Sequence, residues 1–127
     1  MKEPTILIAD DDPEIRVGLR YFLESRGFHI LVAGNGDEAL KAIREGPLRP
    51  EVVVLDLKMP RSGGLTLLHD LKEVKDPPKI IVVTGLVGDT VAQAVESYGV
   101  TKVLSKPVAL SIIEKAIWEA LGKPSSS

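Results

Sequence analysis

Three consecutive acids, Asp10, Asp11 and Asp12, follow the short apolar run TILIA near the start of this 127-residue chain. A fourth acid, Asp56, follows the run VVVL, Thr84 follows IIVV, and Lys106 follows VLS. Taken singly these are commonplace. An acidic run caps a helix, an aspartate after a strand starts a turn, and Thr-Gly and Lys-Pro pairs occur in many loops. Gathered at one place they would do chemistry. Adjacent carboxylates repel one another and call for a cation, and Mg²⁺ suits because it takes hard oxygen ligands, one or two carboxylates, water and phosphate oxygens. A lysine adds a permanent positive charge, and a threonine hydroxyl adds a donor to an oxyanion. Such a set fits phosphoryl transfer, where positioning and charge neutralisation supply most of the catalysis. An aspartate can itself be the nucleophile and carry an acyl phosphate.

Whether they gather depends on the elements that hold them. Thr5–Ala9 reads as a strand ending in the acids. Asp12 as N-cap and Pro13 in the first turn open a helix with Ile15, Leu19, Phe22 and Leu23 at helical spacing, closed by Gly27. Residues 28–33 read as a second strand, and Asn35 caps a helix carrying Ala39, Leu40 and Ile43, ended by Gly46-Pro47. Val52–Leu55 is apolar at every position, as a strand buried on both faces requires. A loop with Met59-Pro60 and Gly63-Gly64 leads to a helix marked by Leu65, Leu68 and Leu71. Residues 80–83 form the next strand, and Asp89 caps a helix with Val91, Ala94, Val95 and Tyr98 on one face. Lys102–Ser105 is the last strand, and Leu110, Ile113, Ile117 and Leu121 line the last helix.

Strict strand–helix alternation predicts an α/β fold of five βα units. It is a doubly wound parallel sheet with helices on both faces and right-handed crossovers. Ligands of such sheets bind at the carboxyl ends of the strands, where strand order reverses. The residues just past those ends are Asp10–Asp12, Asp56, Thr84 and Lys106, whereas the second strand leads only to Gly34-Asn35. That joint placement lifts the set above its parts.

Composition fits one domain with a core of Val, Ile, Leu and Ala: apolar residues are 44%, charged 27% and aromatic 4%. A net charge of −2 gives no reason to expect nucleic-acid or membrane binding. The absence of cysteine excludes disulfides, thiolate chemistry and Cys-ligated zinc. No apolar run reaches the roughly 18–20 residues of a membrane span. The expectation is a cytoplasmic domain without a signal peptide. No Gly-rich phosphate loop is present, and His29 and His69 stand too far apart from other ligands to suggest a relay or a metal site.

The segments ILIADDDPEIR, VVVLDLKMPRSGGL, IIVVTG and VLSKPV resemble the receiver domains of bacterial two-component response regulators, in order and spacing, over essentially the whole chain. The resemblance implies a flavodoxin-like strand order 2-1-3-4-5. It implies a receiver domain over residues 1–122, with 123–127 a tail or the start of a linker. It makes Asp56 the phosphoacceptor and Asp10 and Asp11 the acidic pair, with Asp11 the more direct Mg²⁺ ligand. Asp12 is left to the helix cap. The Lys58 carbonyl becomes the backbone metal ligand. Thr84 becomes the hydroxyl for the phosphoryl group and Lys106 the lysine that pairs with it, usually through a cis Lys106–Pro107 bond. The implied function is phosphorelay signalling rather than enzymatic turnover. The donor would be a sensor histidine kinase or phosphotransfer protein, with an effector domain, partner protein or second copy as the output.

The chain departs from the family at Val103, where Tyr or Phe is usual and normally swings inward with the threonine. It also departs at Gly85, where Ala is common, and at Val108, where Phe is common. The readings weighed against a receiver are a pseudo-receiver that binds partners without phosphorylation and an aspartyl-nucleophile phosphatase of the haloacid dehalogenase type. The latter carries its nucleophile on the first strand in a DxD pattern. A flavodoxin-like nucleotide binder would need a Ser/Thr/Gly-rich loop after the first strand. Trp118 lies off the apolar face of the last helix, covering the core edge or meeting a partner.

Overall fold

A computed structural model of the chain describes residues 3–59 and 63–123. Of the expected loop, Pro60, Arg61 and Ser62 lie outside the described residues, as do residues 124–127 of the expected tail.

Strands and helices alternate as β1 (Thr5–Ala9), α1 (Pro13–Ser25), β2 (His29–Ala33), α2 (Gly36–Glu45), β3 (Val52–Leu55), α3 (Gly64–Leu71), β4 (Lys79–Thr84), α4 (Asp89–Tyr98), β5 (Lys102–Ser105) and α5 (Leu110–Ala120). The strands form one parallel sheet in the order β2-β1-β3-β4-β5. The apolar runs follow from this arrangement. Leu7, Val53, Leu55, Ile80 and Val82 face one core, with Ala39, Ile43, Leu67, Leu68 and Leu71 from α2 and α3. Ile6, Ile8, Val52, Val54, Ile81 and Val83 face the other, with Leu19, Leu23, Ile113 and Ile117 from α1 and α5. Alternate side chains thus enter opposite cores, so a central strand must be apolar throughout.

The expected caps of the first two helices form. Asp12 accepts the Glu14 amide and Asn35 the Glu38 amide. Gly27 follows α1 at φ 94, a conformation that favours glycine, and a Cβ at Gly46 would sit 2.7 Å from the Ala42 carbonyl oxygen. Elsewhere the helices differ from expectation. Asp89 is the first residue of α4, not its cap; the N-cap is Gly88, at φ 81 and without a side-chain bond. Val95 is exposed, and Ala94 is the buried residue of α4 among those described. In α3 the buried face is Leu67, Leu68 and Leu71, with Leu65 only half-buried. In α5 Leu110 is exposed, and the buried face starts at Ile113. No helix among the described residues is long and apolar enough to cross a membrane.

Candidate functional site

The sheet register delivers the site. Ala9, the last residue of β1, pairs with Leu55, the last of β3, and Leu55 with Val82. The residues one step beyond are still held by sheet-like bonds. The Asp10 amide donates to Ala33, the Asp56 amide to Ala9 and the Lys106 amide to Thr84, at 3.1, 2.9 and 2.9 Å. The backbones that carry the chemical side chains are therefore continuations of the ladder, and their Cβ directions are set by it.

Asp10, Asp56 and Thr84 are all buried. The other buried polar or charged side chains among the described residues are Thr5 and Glu114, both away from this rim. The Lys106 Nζ donates to Asp10 Oδ2 and to Asp56 Oδ2, both at 2.9 Å, and so bridges β1 and β3 from the end of β5. Thr84 Oγ1 donates to Asp56 Oδ1 at 2.8 Å, and the Lys58 amide donates to the same oxygen at 3.0 Å. The Leu86 amide in turn donates to Thr84 Oγ1 at 3.2 Å. Asp10 Oδ1 accepts the Asp12 amide at 2.9 Å. Burial pushes the Lys106 ammonium down, but its bonds to Asp10 and Asp56 and their charges outweigh this and hold its pKa above the ordinary 10.5.

Carboxylate oxygens of Asp10, Asp11 and Asp56 lie within 4.8 Å of one another. Asp11 is exposed and the other two are buried. The three carboxylates outnumber the Lys106 ammonium that bridges two of them and the Arg16 guanidinium on the Asp10 carbonyl, so the cluster keeps a formal negative charge. A divalent cation would offset it. The donor set is all hard oxygen, and its open Asp11 side admits water, so the residues present fit Mg²⁺.

The structure thus brings together Asp10, Asp11, Asp56, Thr84 and Lys106, all taken from sequence as one site. Asp12 faces α1 as its cap, and the Lys58 side chain is exposed. The Lys106–Pro107 bond is cis. Val103 is half-buried against the core that α2, α3 and α4 cover. Trp118 covers the core edge: its ring centroid lies 4.6 Å from that of Phe28, and its Nε1 donates to Glu114. Beside the site an apolar cleft of about 520 Å³ runs between α1 and α5, past Ile15, Gly18 and Leu110, and ends on Asp56 and Lys106.

Sequence reasoning missed two neighbours of the site. Arg16 Nη1 donates to the Asp10 carbonyl at 2.8 Å, and Glu38 Oε1 accepts the Gly34 amide at 2.8 Å. Both are charged residues on amphipathic helices, and such residues ordinarily make up a solvated face. Only the three-dimensional placement distinguishes them.

Comparison with known proteins agrees with this geometry. The profile of the response regulator receiver domain matches residues 6–118. Response regulator RR06 of Streptococcus pneumoniae is 34% identical over 112 residues, which cover 88% of this chain and 50% of that protein. Response regulator MprA of Mycobacterium sp. is 38% identical over 107 residues, covering 83% of this chain and 45% of that one. The chain therefore spans about half the length of these curated relatives. The crystal structure of a response regulator receiver domain protein (CheY-like) from Methanospirillum hungatei superposes with a TM-score of 0.88 at 26% identity, covering 95% of each chain. By sequence, strand order and site geometry alike, the chain belongs to the response regulator receiver domain family.

Proposed function

We propose that Asp56 accepts a phosphoryl group from the phosphohistidine of a sensor kinase or phosphotransfer protein. Receiver domains of response regulators work with sensor kinases in phosphorelay signalling and are generally not enzymes in their own right. The observation that carries the assignment is the Lys106 ammonium shared between Asp10 and Asp56, with the Thr84 hydroxyl on the other Asp56 oxygen. In the transfer an Asp56 carboxylate oxygen attacks phosphorus. The bond from phosphorus to the donor imidazole nitrogen breaks, and the imidazole keeps the bonding pair and is reprotonated from solvent.

Asp10, Asp11, Asp56 and the Lys58 carbonyl would hold Mg²⁺, which neutralises charge on the carboxylates and the phosphoryl oxygens. Lys106 balances the anion formed on Asp56, and Thr84 turns its hydroxyl to a phosphoryl oxygen. That turn alters the acceptor of the Leu86 amide, so the loop after β4 responds even though Val103 lacks the ring that usually follows the threonine. Hydrolysis of the acyl phosphate returns the carboxylate and resets the site. Residues 1–122 act as the receiver, with 123–127 a tail or the start of a linker. The output face is the α4–β5–α5 side, offered to an effector domain, a partner protein or a second copy, and the setting is the cytoplasm.

Incubation with acetyl phosphate and Mg²⁺ tests this reading. Intact mass should rise by one phosphoryl group in the wild type and not in Asp56→Asn, nor in the wild type with chelator. Equal labelling of Asp56→Asn would contradict it. Beryllofluoride should increase size in solution if a second copy is the output, and an unchanged size would count against that output.

A further inference from the structure

The second strand leads only to Gly34-Asn35, and the guanidinium of Arg16, from α1, lies against Gly34. Arg16, half-buried at the end of the first turn of α1, points its Nη1 at the Asp10 carbonyl, 2.8 Å away. That carbonyl belongs to the peptide joining Asp10 to Asp11. The Asp10 amide is bound to Ala33 and its carboxylate to the Asp12 amide and Lys106. The bond from Arg16 acts on the peptide plane leading into Asp11. Asp11 itself is exposed.

The neighbourhood is shaped to hold the guanidinium. A Cβ at Gly34 would lie 3.1 Å from Arg16 Nη1 and 3.6 Å from its Cζ, so glycine leaves the room the group occupies. The same point lies 3.7 Å from Glu38 Oε1. Glu38 is itself tethered, through its carboxylate to the Gly34 amide and through its own amide to Asn35 Oδ1. Lysine could make one such bond, but only the planar fork of arginine combines it with a fixed orientation.

We propose that Arg16 is a positioning residue for the divalent-metal end of the site, acting through the Asp10 carbonyl to aim the Asp11 carboxylate, with Gly34 leaving room for its guanidinium. The proposal rests on the Mg²⁺ role assigned above. Two effects of Arg16 oppose each other, which makes the proposal sharp. A cation near the cluster repels a divalent ion, so on charge alone its removal would tighten Mg²⁺ binding. Positioning predicts the reverse, and outer partners of metal ligands commonly set affinity by roughly 10-fold or more.

Calorimetric titration of the metal-free protein with Mg²⁺ decides between them. Arg16→Ala should bind Mg²⁺ roughly 10-fold more weakly than wild type. Gly34→Val, which displaces the guanidinium without removing it, should weaken binding in the same direction. Arg16→Lys should recover part of the loss. Labelling by acetyl phosphate should fall in Arg16→Ala at low Mg²⁺ and return to the wild-type rate at saturating Mg²⁺, a split that a general loss of folding would not give. If Arg16→Ala does not fold, Gly34→Val carries the same comparison. Unchanged or tighter binding in these variants overturns the role of Arg16 while leaving the phosphoacceptor reading intact. Absence of Mg²⁺ binding by the wild type overturns both.

Discussion

The two edges of the sheet are built differently. At the β2–α2 edge, Asn35 caps the helix, Glu38 ties back to Gly34, and Gly36, Ala39 and Ile43 are buried. At the α4–β5 edge the helix starts on Gly88 without a side-chain cap, Ala94 is its buried residue among those described, and β5 is exposed at both ends and only half-buried between. One edge is fastened to the rim that holds the acids. The other is tied to the site mainly through the side chains of Thr84 and Lys106, which both end on Asp56. On the proposed function, a change at Asp56 would act chiefly on the loosely held edge, as a switch requires.

The largest expected effect comes from cutting the tie. Lys106→Met leaves Asp10 and Asp56 facing each other in a buried site, and should cost about 2–3 kcal/mol in urea unfolding of the metal-free protein. Added Mg²⁺ should recover part of that, because it replaces the lost cation. A loss confined to a few tenths of a kcal/mol would mean the tie is slack.

Next comes amide hydrogen exchange. Amides of α4 and β5 should exchange on the order of 100-fold faster than those of β1 and β3, as expected for a region with few buried contacts. Beryllofluoride with Mg²⁺ should narrow the gap around residues 84–88 and 102–105. Uniform protection across the sheet would break the comparison between edges.

Smaller effects separate the two helix starts. Asn35→Ala should cost about 1 kcal/mol, the usual value of an N-cap. Asp89→Ala should cost about 0.3–0.5 kcal/mol, because Asp89 meets only the helix dipole. Equal losses would restore Asp89 as a cap.

The smallest effect is alkaline. The folded pKa of Lys106 lies above its ordinary 10.5, so its contribution to stability is complete below that value and is lost as pH rises through the folded value. Wild type should lose more stability than Lys106→Met across that interval. Parallel curves would show that the ammonium gains nothing from its two carboxylates.

How much of this was legible beforehand follows from which physical rules act locally. Alternating apolar runs specify a parallel sheet because central strands must feed two cores, and Val52–Leu55 could be read on that ground alone. The site could be read because the ends of parallel strands converge, so Asp10, Asp56, Thr84 and Lys106 needed no contact information to be grouped. Glycine at the start of a helix is harder to place. Gly64 and Gly88 each moved a boundary, because the residue after a flexible position does not declare whether it caps the helix or begins it. Arg16 and Glu38 stayed hidden because their partners are backbone atoms, which no side-chain pattern announces. The exposed ends of β5 are its polar residues Lys102 and Ser105, and its half-exposed middle follows from having no strand on its outer side.

The central claim is that the phosphoryl group rides on Asp56. An acyl phosphate is reduced by borohydride to the alcohol, whereas a free carboxylate, a phosphoserine or a phosphothreonine is not. After treatment with acetyl phosphate and Mg²⁺, then borohydride, peptide mass spectrometry should find homoserine at position 56 and aspartate unchanged at positions 10, 11 and 12. Homoserine at another position, or none in a protein that has gained phosphoryl mass, would contradict the account.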